Sequence, residues 1–159
     1  MTIFFVAFVT TQVLTADAVT IRNFALYGSY QGGWGFTSSN ITSPGPTITV
    51  EQGDTVNLTL TSNDQITHRF FVSYTNGTAP GTGDPQSSDF SGTTIYSFNA
   101  TNTVGTYTYH CYYHPSLMWG YFRVVPSGSI PEFQPLALLL LSIMSIGIAT
   151  LARKRSRQT

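Results

Sequence analysis

The residues of this chain best suited to chemistry are its single cysteine and the histidine and methionine that follow it at short intervals. Cys111, His114 and Met118 form a C-x2-H-x3-M pattern, and Cys111 closes an alternating, tyrosine-rich segment. His68 lies far upstream, ahead of an apolar segment. Strands that pair in a sheet bring distant residues together, so these four side chains can meet at one place.

The four side chains offer a thiolate, two imidazoles and a thioether. Taken singly, each has an ordinary explanation: a small buried thiol, a capped or solvent-facing histidine, and a core methionine. Taken together, they are the set that a one-electron copper site requires, with a weak thioether on the axis of a trigonal plane. We therefore predict that His68, Cys111 and His114 bind one type 1 copper ion in the plane, with Met118 as the axial ligand.

Composition favours a single all-β domain and argues against a nucleic-acid partner. The chain has 159 residues with two apolar ends, which leaves room for one core between them. The central part is rich in Thr, Ser, Tyr, Phe and Gly, a composition typical of strands and turns. Four of the seven Lys and Arg lie after residue 152, so the central part is slightly acidic and offers no basic stripe.

Alternation of apolar and polar residues predicts several short strands separated by turns, as in a sandwich or barrel. The predicted strands are Thr47–Val50, Thr55–Leu60, His68–Tyr74, Thr94–Ala100, Gly105–Cys111 and Gly120–Val125. Residues 75–93 follow no period, which indicates a long surface loop.

The N-terminal residues are predicted to be a secretory signal. Residues 1–18 contain a short apolar run followed by Ala16-Asp17-Ala18, a small-residue cleavage pattern. No basic residue precedes the run, so an uncleaved anchor is the alternative.

The C-terminal residues predict a membrane helix. Residues 136–152 carry no charge and approach the length that crosses a bilayer, and the basic tail 153–159 is expected in the cytoplasm. The linker 127–135 contains Pro131-Glu132-Phe133. Motif, helix and tail together resemble the PEF-CTERM sorting signals of archaeal surface proteins, which implies a sorting protease as a partner. An ordinary tail anchor is the alternative, and both predict a domain at residues 19–126 outside the cell membrane.

Three segments resemble the cupredoxins, the small blue copper proteins related to plastocyanin, amicyanin and azurin. They are Gly45–Val50 followed by Gly53-Asp54, His68 ahead of Phe70-Phe71-Val72, and the loop from Cys111 to Met118. The likeness covers about residues 24–126. It implies a Greek-key β-sandwich with copper near one end, bound by the four residues named above. It also implies a carrier of single electrons that exchanges them with other redox proteins and is not an enzyme.

Two residues depart from the family pattern close to the predicted ligands. Arg69 stands where the family often has an Asn whose side chain connects the two ligand loops, so a different contact must connect them here. Tyr113 stands where many relatives have Pro, so its N–H is free to bond the thiolate. The amides of Arg69 and Tyr113 are the two predicted donors to the sulfur.

His110 is the remaining histidine, and strand alternation turns it to the face opposite Cys111. In multidomain copper oxidases and nitrite reductases a His beside the Cys binds a second copper centre, but that needs further histidines. This chain has three in all. In plastocyanin-like proteins the corresponding Tyr resembles an electron exit, so we expect His110 to be an exposed exit residue. A second site shared between subunits is the alternative.

Three other functions compete with an electron carrier. One domain of an oligomeric copper reductase or oxidase would need a catalytic site that three histidines do not supply within one chain. A copper-binding or storage module without a redox role would use many Met ligands, and Met occurs only at positions 1, 118 and 144. A domain that kept the fold and lost the metal is disfavoured by the complete ligand set.

Overall fold

The computed structural model describes residues 20–129. These residues form nine β-strands: β1 (Ile21–Ser29), β2 (Gly33–Thr37), β3 (Asn40–Thr42), β4 (Ile48–Glu51), β5 (Thr55–Ser62), β6 (Phe70–Ser73), β7 (Thr93–Asn99), β8 (Gly105–Cys111) and β9 (Trp119–Val125). Within the same residues, no helix is present that could span a membrane.

The strands form two mixed sheets. One sheet has the order β3-β2-β1-β5-β7 and the other has the order β4-β9-β8-β6. β1 runs parallel to β5 and β4 runs parallel to β9, while the other paired neighbours are antiparallel. The chain changes sheet at every connection from β3 to β8. The two sheets are therefore interleaved in sequence, and strands distant along the chain become neighbours.

The core lies between the two sheets and follows from strand alternation. In β5, Val56, Leu58 and Leu60 are fully buried, while the residues between them face outward. These side chains share one apolar cluster with Ile48, Val50, Phe122 and Val124 of the other sheet. Burial of this apolar surface is the main contribution to stability. The predicted all-β sandwich is confirmed.

Tyr109 fixes the end of β8 that leads to the predicted ligand loop. Its ring is fully buried and stacks on Phe70 at 5.6 Å between centroids. Its hydroxyl donates to the carbonyl of Pro46 over 2.7 Å. Gly120 lies opposite Tyr109 in β9, and a Cβ there would overlap the tyrosine ring. The close approach of β8 and β9 beside the site therefore requires glycine.

The structure corrects the sequence-based assignment in two places. His68 does not begin a strand, since β6 begins at Phe70 and His68 forms an isolated bridge with Phe90. The segment 75–93 is not a free surface loop, because Gln86 pairs with Phe71, and Ser87 and Phe90 are buried. The predicted signal (1–18), membrane helix (136–152), basic tail (153–159) and most of the linker lie outside the described residues, so these assignments and the domain boundaries stay predictions.

Candidate metal centre

His68 is held in place by two backbone hydrogen bonds and by aromatic rings that pack near its side chain. Its amide donates to the carbonyl of Phe90 over 2.8 Å, and the amide of Phe90 donates back over 2.9 Å. The imidazole is fully buried, with the rings of Trp34 and Phe90 at 6.2 and 6.0 Å between centroids. The ring is therefore placed by residues that are not themselves candidate metal ligands.

The loop after β8 carries the other predicted ligands. Cys111 is fully buried at the end of the strand, and its amide donates to the carbonyl of Met118 over 2.8 Å. The amides of Leu117 and Met118 both donate to the carbonyl of His114, over 3.2 and 2.9 Å. These bonds close a tight turn that fixes the shape of the loop.

The structure brings His68, Cys111 and His114 together. Their ligand atoms all lie within 4.8 Å of one another. The sulfur of Cys111 is 3.6 Å from Nδ1 of His68 and 3.7 Å from Nδ1 of His114. The two imidazole rings meet edge to face at 5.5 Å between centroids.

These separations fit one metal ion shared by the three residues. With bond lengths like those at zinc and angles between tetrahedral and trigonal, sulfur and nitrogen ligands lie about 3.5–3.8 Å apart. The sulfur–nitrogen distances of 3.6 and 3.7 Å fall in this range. A soft thiolate with two imidazoles in this arrangement is the donor set of a type 1 copper site. The group formed by His68, Cys111 and His114 can hold one copper ion.

Electrostatics favour the thiolate that a metal requires. Burial alone raises the pKa of the Cys111 thiol, but the polar surroundings of the sulfur, namely the His68 ring and the backbone amides of Arg69, Tyr113 and His114, outweigh it and leave this pKa lowered. Burial lowers the pKa of His114, and neighbouring His68 lowers it further. A copper ion binds a thiolate and neutral imidazoles, so both shifts favour binding.

Met118 lies in the core directly after the ligand turn. Its side chain is fully buried in the same cluster as Cys111. Its terminal methyl group approaches Gly28, where a Cβ would come within 2.9 Å of it. The axial role of Met118 stays a prediction, supported by its burial and by the bond between its carbonyl and Cys111.

Arg69 and Tyr113 lie together on the surface beside the ligand loop. Nε of Arg69 donates to Oδ1 of Asp89 over 2.6 Å, and the hydroxyl of Tyr113 donates to Oδ2 over 2.8 Å. The amide of Tyr112 donates to the carbonyl of Arg69 over 2.8 Å, and the Arg69 guanidinium lies over the Tyr112 ring at 5.0 Å. These contacts connect the segment of His68 to the loop of His114.

His110 occupies the opposite face of the sheet, as alternation predicts, but it is not exposed as expected. Only 5% of its surface is accessible, because its ring lies against Phe71 at 5.4 Å and near Trp119 at 6.5 Å. Nδ1 lies 2.8 Å from the carbonyl of Pro115, while Nε2 is buried without a partner in the described part of the chain. The two rings belong to β6 and β9, the strands that pair with β8 on either side, so alternation along β8 alone does not predict them.

Asp64 and Tyr30 belong to the site and were not predicted. Oδ1 of Asp64 lies 2.9 Å from Nε2 of His68, and the Tyr30 ring lies 4.5 Å from the ring of His114. Burial raises the pKa of Asp64, but hydrogen bonds, led by those from the Tyr30 amide and His68, outweigh it and hold this pKa well below its usual range. The only indication of Asp64 in the sequence is that an acidic residue lies four positions before a candidate ligand.

Comparisons with known proteins find similar chains among solved structures. No protein-family model and no curated protein matches the chain. Rusticyanin from Thiobacillus ferrooxidans is similar with a TM-score of 0.49 and 17% identity, over 71% of this chain and 85% of that one. Auracyanin A, a blue copper protein from Chloroflexus aurantiacus, gives 0.48 and 16%, over 66% and 99%. A purple cupredoxin from Nitrosopumilus maritimus gives 0.46 and 20%, over 64% and 99%.

A larger protein is similar over part of its length. The multicopper oxidase mgLAC gives a TM-score of 0.43 and 22% identity, over 70% of this chain. The chain spans 40% of the length of that oxidase.

Proposed function

We propose that the chain is a type 1 blue copper protein that passes single electrons at the outer face of a membrane. The observation that carries this proposal is the convergence of one thiolate and two imidazoles, with sulfur–nitrogen distances of 3.6 and 3.7 Å, where the His68 segment meets the hydrogen-bonded turn that carries Cys111 and His114. Such a centre suits Cu(I) and Cu(II) comparably. Little rearrangement then accompanies electron transfer.

Electrons are proposed to leave through His114. This ligand is less buried than His68 and Cys111, and Tyr30, Tyr113 and Leu117 lie around it with between 39% and 44% of their surfaces exposed. An apolar rim of this kind suits brief docking of another redox protein, because it associates without a large fixed network of charges.

His110 is proposed as a second exit. It immediately precedes Cys111 in β8, and its ring leads through Trp119 to Tyr121, which is 42% exposed. Since His110 itself is buried, electrons leaving on this side would reach solvent through the partly exposed Trp119 and the exposed Tyr121.

The proposed partners are redox proteins that donate and accept electrons, together with a membrane and a sorting protease acting on the C-terminal segment. The domain is extracytoplasmic and anchored to the cell membrane or surface. We propose no catalytic activity and no nucleic-acid partner, in keeping with the slightly acidic central part of the chain.

Voltammetry of the copper-loaded full-length chain tests this function. An electron carrier gives one reversible one-electron wave and reacts rapidly with small redox proteins. It gives no steady turnover of oxygen or nitrite, the substrates that a copper oxidase or reductase domain would consume. Sustained turnover would contradict the carrier assignment, and the absence of any copper-dependent wave would contradict a redox role altogether.

A further inference from the structure

Asp64 places a carboxylate in direct contact with one of the metal-binding histidines. Its Oδ1 lies 2.9 Å from Nε2 of His68, and the other ring nitrogen of His68 lies 3.6 Å from the sulfur of Cys111. The His68 ring is fully buried, while 21% of the Asp64 side chain is exposed. When a carboxylate accepts from one ring nitrogen, the proton stays on that nitrogen and the other is left free for a metal.

The Asp64 carboxylate is itself held from several directions. The Ser62 hydroxyl and the Ile66 amide each donate to Oδ1 over 3.1 Å, and the Tyr30 amide donates to Oδ2 over 2.6 Å. Gln65, between Asp64 and Ile66, adopts the left-handed conformation with φ of 61°. A non-glycine residue in this conformation is unfavourable on its own and persists where surrounding contacts require it.

The same carboxylate also reaches the second histidine indirectly. Tyr30 belongs to the turn between β1 and β2, and its amide is bound by Asp64. Its ring packs on His114 at 4.5 Å between centroids, with an angle of 53° between the planes. One carboxylate therefore contacts His68 directly and holds the turn that packs on His114.

We infer that Asp64 is a positioning residue of the copper centre, which orients His68 with Nδ1 toward the metal and favours the oxidised ion by its negative charge. This inference rests on the proposed function, because a charge can shift a reduction potential only where a redox metal is bound.

The direction of the effect follows from charge. Cu(II) carries one more positive charge than Cu(I), so a nearby carboxylate stabilises the oxidised state more. A carboxylate that accepts from Nε2 also makes the ligating nitrogen a stronger donor, which again favours Cu(II). Loss of the charge therefore raises the reduction potential. Loss of an orienting partner of this kind typically lowers metal affinity about 10–100-fold.

Two substitutions in the full-length chain separate charge from orientation. Asp64→Asn keeps an oxygen that can accept from His68 and removes the charge, so it should raise the potential and retain the blue colour. Asp64→Ala removes both, so it should raise the potential and weaken copper binding about 10–100-fold. Asp84→Asn is the control, because Asp84 accepts from Tyr74 and Gly81 beyond the far end of β6, away from the metal ligands. Its potential should match the wild type.

A measurement on the metal-free chain tests the orientation independently of copper. The chain has three histidines, so ¹⁵N-histidine NMR resolves each ring. When the rings are neutral, His68 should carry its proton on Nε2 in the wild type and lose this preference in Asp64→Ala. A wild-type chain that binds no copper would overturn the proposed function, while the NMR result would still report on Asp64. An unchanged His68 tautomer in Asp64→Ala would overturn the positioning role. In a blue protein, an unchanged potential in Asp64→Asn would overturn the electrostatic role.

Discussion

The amide of Cys111 donates to the carbonyl of Met118 over 2.8 Å, and this bond closes the loop that carries three of the four predicted ligands. It joins the last residue of β8 to the residue immediately before β9. The loop therefore begins and ends at paired strands, and its side chains start from fixed positions. This arrangement is the basis for the predictions that concern the ligands and their neighbours.

Met118→Leu should keep the blue colour and raise the reduction potential. The side chain is fully buried, and Leu has nearly the same volume, so the fold should lose less than about 1.5 kcal/mol. Removal of an axial donor destabilises Cu(II) relative to Cu(I). Voltammetry of the two proteins measures the shift, and Met144→Leu, outside the described residues, is the control that should leave it unchanged. A potential equal to or below the wild-type value would argue against an axial Met118.

Tyr113→Pro should lower the reduction potential. The backbone amides of Arg69, Tyr113 and His114 lie toward the sulfur of Cys111 and lower the pKa of the thiol. A hydrogen bond from such an amide withdraws electron density from sulfur and favours Cu(I), and Pro has no N–H to donate. The potential is measured alongside the visible spectrum, which checks that the loop keeps its shape.

The matched control is Tyr113→Phe, which keeps the N–H and removes the hydroxyl that donates to Asp89. Its potential should stay closer to the wild type than that of the Pro variant. If the Pro variant kept both the wild-type spectrum and the wild-type potential, the Tyr113 amide would have no part in setting the potential.

Gly120→Ala should destabilise the domain. The new Cβ would overlap the ring of Tyr109, which is fully buried and cannot move aside freely. Overpacking of this kind typically costs about 1–3 kcal/mol. Denaturant unfolding of the metal-free protein measures the loss. Gly92→Ala is the control, since no atom lies within 4 Å of a Cβ at that position, and its stability should change by less than about 0.5 kcal/mol. Equal stability of the two variants would contradict the close contact of Gly120 with Tyr109.

The proposed topology predicts that protease added to intact cells cuts the loop after β6. Exposed residues between Asn76 and Gly83 lie before the segment that pairs with β6, so cleavage should occur there. The basic cluster Arg153-Lys154-Arg155 after the apolar C-terminal segment is the reason to expect the domain outside. A loop that is cut only after the cells are lysed would overturn this topology.

The candidate metal ligands could be predicted because two of them are close together in sequence and the third is one of few histidines. Cys111 and His114 are fixed by one turn, and donor chemistry singles out His68 among only three histidines. Alternation located the strands β4 to β9 to within a few residues. The first three strands were not predicted; Gly33 and Gly35 interrupt the alternation of β2, and β3 has only three residues.

The surroundings of the metal could not be predicted because they depend on contacts between distant segments. Asp64 reaches His68 across a turn in which Gln65 adopts a left-handed conformation, and residue order does not reveal that turn. His110 is covered by Phe71 and Trp119 from the two strands that flank β8. Exposure of an outward-facing strand residue depends on its neighbours in the sheet, and alternation along one strand carries no information about them.

The visible absorption spectrum of the Cu(II)-loaded chain tests the central claim most directly. The intense band of a type 1 site arises from charge transfer between the thiolate and copper, so the wild type should be strongly coloured. Cys111→Ser should lose the band while the buried His68 and the fold remain. His110→Phe should keep the band, because His110 faces away from the metal ligands. A Cys111→Ser variant that stayed blue, or a copper-loaded wild type without the band, would contradict the assignment of this site.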